Sequence, residues 1–454
     1  MKYLFAILLI IFQLPACKKG EDLKALPGNY ILVPSTPSDV QAVLDNEEVF
    51  AKTTSLNFTS ADEFYFTGPY ISQLSASELG AYTWGNFSFT ANENVGDWNN
   101  GYEQVYYANV ALEGIGRLEG KADKHLLMKL KGDALFKRAF AFFNLAQVFT
   151  LPYDPITADK KSGIPLRLNI DRKEPLKRGT IAETYDRIIK DILEAIDLLP
   201  AEVDAQHPNR ASRPAALALL ARVYLSMRIY PKALDAARQC LSLYDSLINF
   251  NTGIRAGYLP FNEKNIETLY QSKMAEDRNF VAALVKAEAC IDSNIVHQYA
   301  PGDLRSTVFF KQTASGATAK GSYFGQVAPF TGLGTAEQYL IAAECNARLG
   351  DKELALQYLN ELLRHRWKTG QFTKRTADSD KEALDTILLE RRKELLLRGT
   401  RWSDLKRFSI ENPALILSRI VQGVKYELPA GSLRYALPIP EEAIQFNGIE
   451  QNKR

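Results

Sequence analysis

The chain has 454 residues, 46% hydrophobic and 24% charged, with a net charge of +2 at pH 7. A single core usually stops growing near about 250–300 residues, so this length can bury one large core or two. So even a charge balance leaves no electrostatic footprint for nucleic acid or an anionic membrane surface. The four histidines are scattered without ligand spacing, so neither a metal nor a cofactor is expected.

Met1-Lys2 is a basic start, residues 4–12 are an unbroken apolar run, and Leu14-Pro15-Ala16-Cys17 closes it. The run is about half of the roughly 20 residues a helix needs to cross a bilayer. It reads as a cleaved lipoprotein signal over 1–16, with Cys17 as the residue acylated, for example by palmitate. Lys18 and Lys19 follow, and nothing there points to retention at the inner membrane. Residues 17–37 read as a lipidated terminus and tether, and 38–454 as a single domain. The three cysteines left, Cys240, Cys290 and Cys345, make no disulfide framework.

Thr36-Pro37-Ser38-Asp39 opens a short helix running to Phe50, with proline and an acid in its first turn. Residues 51–100 are rich in aromatics, glycine, serine, threonine and asparagine, and hold no helical period. A loop-rich stretch of that length in a compact protein points to binding. Helices follow. Trp98, Tyr102, Val105, Tyr106 and Asn109 share one face, and a long helix spans about 125–150. The capping box of Thr180 and Glu183 starts another that stops at Pro200.

Residues 216–244 and 339–365 then repeat one pattern: a helix with small residues, a tight break, and a second helix beginning near Ala-Leu. Ala221, Tyr224, Ala233 and Ala237 in the first copy correspond to Ala343, Ala347, Ala355 and Tyr358 in the second. Small residues let paired helices approach closely, which is the tetratricopeptide arrangement; residues 134–199 offer a weaker third copy. Residues 246–333 between the copies are again loop-rich and aromatic. In 385–408, DTILLERRKELLLRGTRWSDLKRF, a helix ends near Gly399, placed for a left-handed cap. Its dense charges (Glu390, Arg391, Arg392, Glu394, Arg398, Arg401) read as an internal ion-pair network with no catalytic roles.

Several stretches together resemble the SusD/RagB family of surface lipoproteins. They are ERRKELLLRGTRWSDLKR (390–407), ALFKRAFAFFNLAQVFTLPYD (134–154), TYDRIIKDILEAIDLLP (184–200), RPAALALLARVYL (213–225), YLIAAECNARLGD (339–351) and ALPIPEEAIQFN (436–447). The loops carry no alignable pattern, and the chain is short for the family. The resemblance implies an all-α (mainly α) fold: tetratricopeptide-like helix pairs over about 102–245 and 335–408 as a frame, with loop-rich ligand-binding segments over about 51–100 and 246–333. It also implies a lipid-anchored protein on the exterior of the outer membrane that captures nutrient, usually oligosaccharide, and delivers it to a TonB-dependent, SusC-like transporter. Such proteins bind and do not catalyse.

Sugar faces carry C–H groups and their rims carry hydroxyls, so flat aromatic rings beside amides and carboxylates suit them. In the aromatic loops Tyr82 and Trp84 are expected to stack on a sugar and Asn86 or Asn94 to hydrogen-bond it, with Tyr65, Tyr258 and Tyr323 as further candidates. Trp98, Tyr102, Tyr106, Trp367 and Trp402 are assigned to the core. Three other readings stay open: the same architecture capturing peptide or another nutrient, a helical-repeat scaffold for protein contact, and a glycoside hydrolase. The last would need two carboxylates flanking the bond, with Asp62, Glu63, Glu93 and Asp97 as the acids in the aromatic loops.

Overall fold

Each apolar period read from the sequence becomes a helix, and neighbouring helices pack in pairs. The computed structural model describes residues 33–171, 173–275, 278–286 and 288–454; the signal segment, Cys17 and most of the tether lie outside them. Helix Gly96–Leu118 packs on Lys124–Phe149, which packs on Ile181–Leu198. Arg213–Ser226 packs on Tyr230–Leu243, and Thr335–Arg348 on Lys352–Arg364. Tyr230–Leu243 also meets Thr335–Arg348, so the two repeats are consecutive in the stack although residues 244–334 separate them in the chain. The mainly helical fold expected from the sequence is the one observed.

The small residues of the repeats sit where the pairing logic requires. Ala221, Ala233, Ala237, Ala343 and Ala355 are fully buried, and Cys240 and Cys345 lie in the same interfaces. Larger side chains fill the remaining space. Phe136, Phe140, Phe142, Phe143 and Phe149 of one helix are all buried, each contributing about 1.5–3 kcal/mol against exposure. Thr180 and Glu183 form the expected capping box. Among the described residues no helix is long and apolar enough to cross a membrane. Pro34–Arg454 is one compact unit.

The aromatic stretch 51–100 departs from expectation. It holds three short helices, Leu56–Ser60, Gly68–Ile71 and Ala76–Tyr82, and the strands Lys52–Thr53 and Phe64–Phe66. One or two turns are too short to establish an apolar period, although the capping box of Ser75 and Glu78 marks one start. Phe64–Phe66 pairs antiparallel with Ala289–Ile291, which stitches the two loop-rich segments together. Behind that pair Phe58, Phe64, Phe66, Tyr70, Tyr82, Met274 and Phe280 form a core of their own. A hairpin, Ile416–Val421 with Val424–Pro429, follows the charged motif and had no clear sequence signal.

The motif itself is the internal network anticipated from its charges. Arg305 binds Asp303, Glu390 and Glu394; Arg366 binds Glu267 and Glu394; Arg391 binds Asp404; and Arg407 binds Asp404 and Glu344. Helix Asp380–Glu394 thereby holds the loop around residues 303–305 against the repeat frame. Gly399 adopts the left-handed conformation (φ 71°) expected of a cap, and Leu397 shares that conformation (φ 55°).

Candidate functional site

The stitched strand pair ends beside the C-terminal hairpin, and a cleft of about 440 Å³ opens between them. Asp62, Phe64 and Tyr65 form one wall, Asp292 and Asn294 extend it, Arg392 and Arg401 line the floor, and residues 415–420 form the facing wall.

Strand alternation explains the first wall. Phe64 and Phe66 point into the aromatic core, so Tyr65 between them points outward and remains 37% exposed. Its hydroxyl donates to the carbonyl of Ser315 at 3.1 Å, which fixes the ring. Gly316 makes that approach possible: it sits at φ 134°, and a Cβ there would lie 2.6 Å from the Tyr65 hydroxyl. On the facing strand Ile416 and Ile420 are exposed, supplying apolar surface opposite the ring.

The floor is polar and internally paired. Arg401 forks onto Asp62 with bonds of 2.6 and 2.9 Å, and Arg392 Nη2 bridges Asp62 at 3.3 Å and Asp292 at 2.9 Å. Burial alone would raise the Asp62 carboxyl, but the charges of Arg401 and Arg392 outweigh it and hold the group well below the usual carboxylate range. Asp292 caps the short helix Ser293–Val296, accepting from the Asn294 amides at 3.1 Å. Behind the floor Glu63 is buried; burial pushes its carboxyl up to about 7, and it accepts from the Leu397 N–H at 3.0 Å.

Arg419 joins the hairpin wall to the rest. Its guanidinium donates to the carbonyls of Thr59, Ala61 and Tyr82, which lie at the ends of helices Leu56–Ser60 and Ala76–Tyr82. Those are the negative poles of two helices, where a cation is favoured. The same group stacks 3.7 Å from the Tyr82 ring centre and 4.8 Å from that of Trp84.

This corrects the expectation for Tyr82 and Trp84. Each is only 1% exposed, so neither offers a ring face to a ligand; they support Arg419 from behind. Trp84 Nε1 donates to Ser60 O at 2.9 Å, and its ring packs in a core with Trp402, Leu405, Leu417, Leu428 and Tyr435. Tyr323 is buried too, under the Arg398 guanidinium 3.4 Å from its ring centre. Asn86 is exposed and lines neither this cleft nor its neighbour. Asn94 lines a second, wholly separate set of walls: a cleft of about 410 Å³ with Ser75, Ser77, Glu93 and Asn100, where it accepts from Asn99 at 2.8 Å. Tyr258 is half exposed, with Lys311 5.9 Å over its ring, and stands apart from both clefts. Of the seven candidates, only Tyr65 presents a ring to the first cleft.

Sequence reasoning placed Asp62 among candidate acids and Arg392 and Arg401 in an ion-pair network, without bringing them together. Asp292, Asn294 and Arg419 were missed. Asp is a favoured N-cap residue, which could have flagged Asp292; no local pattern marks Asn294 or Arg419.

Among the described residues there is no group of three or more His, Cys, Asp and Glu side chains placed to hold a metal ion. The family profile described as starch-binding and associating with the outer membrane matches residues 29–225, and that of the SusD family matches 307–453. No curated protein matches the chain. A SusD superfamily protein from Bacteroides thetaiotaomicron VPI-5482 is similar in structure, with a TM-score of 0.76 at 23% identity over 92% of this chain and 100% of that one. One from Bacteroides vulgatus ATCC 8482 gives 0.73 at 24% identity over 92% and 98%. A laminarin-binding SusD-like protein gives 0.65 at 18% identity over 91% and 97%.

Proposed function

The chain belongs to the SusD/RagB family, and from that premise we propose that it is a surface glycan-binding lipoprotein whose ligand occupies the Tyr65 cleft. Held by lipid at Cys17 on the exterior of the outer membrane, it captures oligosaccharide and passes it to a TonB-dependent, SusC-like transporter. The observation that carries the ligand class is Tyr65: an exposed ring, fixed through its hydroxyl, beside paired carboxylates and an exposed amide. That is the combination a sugar's C–H face and hydroxyl rim require.

The cleft supports binding and not hydrolysis. A glycoside hydrolase needs one carboxyl kept protonated to act as acid beside a second that is ionised. Asp62 is held ionised by two arginines, and Asp292 is tied to Arg392 and to the backbone of its own helix. Glu63 has the raised carboxyl, but it is buried behind the floor.

The test is affinity electrophoresis and calorimetry of the chain from Lys18 onward, which keeps every described residue, against a panel of polysaccharides and oligosaccharides. A selective hit that Tyr65→Ala weakens at least tenfold, with an unchanged melting temperature, supports the assignment. Equal affinity in Tyr65→Ala moves the site elsewhere. Sugar release from any substrate by the purified chain would replace binding with catalysis.

A further inference from the structure

The cleft carries charge on both of its aspartates and three of its arginines, yet every arginine is already engaged. Arg401 gives its fork to Asp62; Arg392 spends Nη2 on Asp62 and Asp292; Arg419 faces inward, onto three carbonyls and two aromatic rings. The groups left to meet a ligand are mainly acceptors. A carboxylate offers about four lone-pair sites. Asp62 meets three arginine N–H groups and its own backbone N–H, whereas Asp292 meets only Arg392 and the two Asn294 amides and so keeps an acceptor position. A sugar hydroxyl donates and satisfies that position. A uronate carboxylate or a sulfate has no proton to donate and would face two aspartates, while the Arg392 Nε–H that has no protein partner is buried out of its reach.

We infer that the cleft selects neutral glycans over anionic ones, and that Asp292 is the residue that sets this preference by occupying Arg392. The inference rests on the glycan reading of the same cleft. It works by an element that repels the wrong ligand as well as one that attracts the right one. Asp292 is the informative position because Asp62 is clamped by two arginines, whereas Asp292 shares only Arg392. Asp292→Asn keeps a side-chain oxygen to cap Ser293–Val296, removes one negative charge and loosens Arg392, whose planar fork matches a carboxylate.

The experiment is calorimetry of the chain from Lys18 and of its Asp292→Asn variant with three probes: laminarihexaose, maltohexaose and hexagalacturonate. In the unaltered chain at least one neutral hexasaccharide binds about tenfold or more tighter than hexagalacturonate. In Asp292→Asn the affinity for hexagalacturonate rises by about tenfold, the scale of one charge-assisted hydrogen bond. Hexagalacturonate binding the unaltered chain as tightly as the neutral probes overturns the inference and leaves the glycan reading standing. So does a discrimination that Asp292→Asn leaves unchanged. Failure of all three probes removes the glycan reading and this inference with it. Should Asp292→Asn not fold, the ranking in the unaltered chain decides.

Discussion

Replacing Arg305 by methionine removes the cation that ties the second loop-rich segment to the repeat frame. The side chain is fully buried and makes four charged bonds: to Asp303 at 2.9 and 2.7 Å, to Glu390 at 2.5 Å and to Glu394 at 3.3 Å. Around it the buried carboxylates Asp303, Glu390, Glu394 and Glu267 face the buried cations Arg305, Arg366, Lys393 and Arg398, four against four, with the partly exposed Arg375 reaching Glu390 at 3.8 Å from outside. Without Arg305, Lys393 still reaches Asp303 and Glu390 and Arg366 still reaches Glu394, but one buried negative charge is left over. Breaking one partner from a buried ion pair costs about 3–5 kcal/mol, and Arg305→Met should destabilise the chain by that amount. A second change, Asp303→Asn, restores the charge count, so the double variant should recover at least about 1 kcal/mol, a coupling of the size expected for contacting residues. Urea unfolding followed by tryptophan emission measures both, since all four tryptophans are buried. A loss under about 1 kcal/mol for Arg305→Met would refute the reasoning. So would a double variant no more stable than the single one.

Trp84→Ala should cost about 3–5 kcal/mol of stability, the range for truncating a buried large aromatic, and thermal unfolding would show it; a variant as stable as the parent would restore Trp84 as a surface residue. Lys406 donates to the carbonyls of Ala146, Gln147 and Thr150 at the end of helix Lys124–Phe149, at 3.3, 2.8 and 2.6 Å. Lys406→Met strands buried acceptors and should cost roughly 2–4 kcal/mol in the same assay. Glu63 is a carboxyl raised by burial to about 7. Its contribution to stability is therefore fully present below the unfolded value near 4.5 and lost as pH rises through 7. Glu63→Gln keeps the oxygen that accepts from Leu397, so between pH 5 and 8 the variant should gain on the parent by about 1–3 kcal/mol. A pH-independent difference would show that Glu63 is not buried as described.

The frame was legible because its signals are local and redundant. The Ala-rich repeats, the Thr180 capping box and the charged motif each specify helix and packing from local pattern alone, and each appears where expected. The cleft was not legible. Tyr65 was named, but as one aromatic among many; Tyr82 is covered by Arg419, and Trp84 by Arg419, Trp402, Leu417 and Leu428, all more than three hundred residues away in sequence and several in a hairpin without a clear strand signal. Alternation in Phe64–Phe66 could have separated outward Tyr65 from its inward neighbours, had the three residues been read as a strand. The apolar period that finds helices is silent about which loop aromatic ends up covered, because that is decided by contacts between segments.

The central claim is tested most directly by titrating neutral hexasaccharides into the chain from Lys18 and into its Tyr65→Ala variant by calorimetry. Saturable binding to the parent, at least tenfold weaker in the variant at an unchanged melting temperature, is the expected result. No binding to the parent, or equal binding to both, would contradict a glycan site at Tyr65.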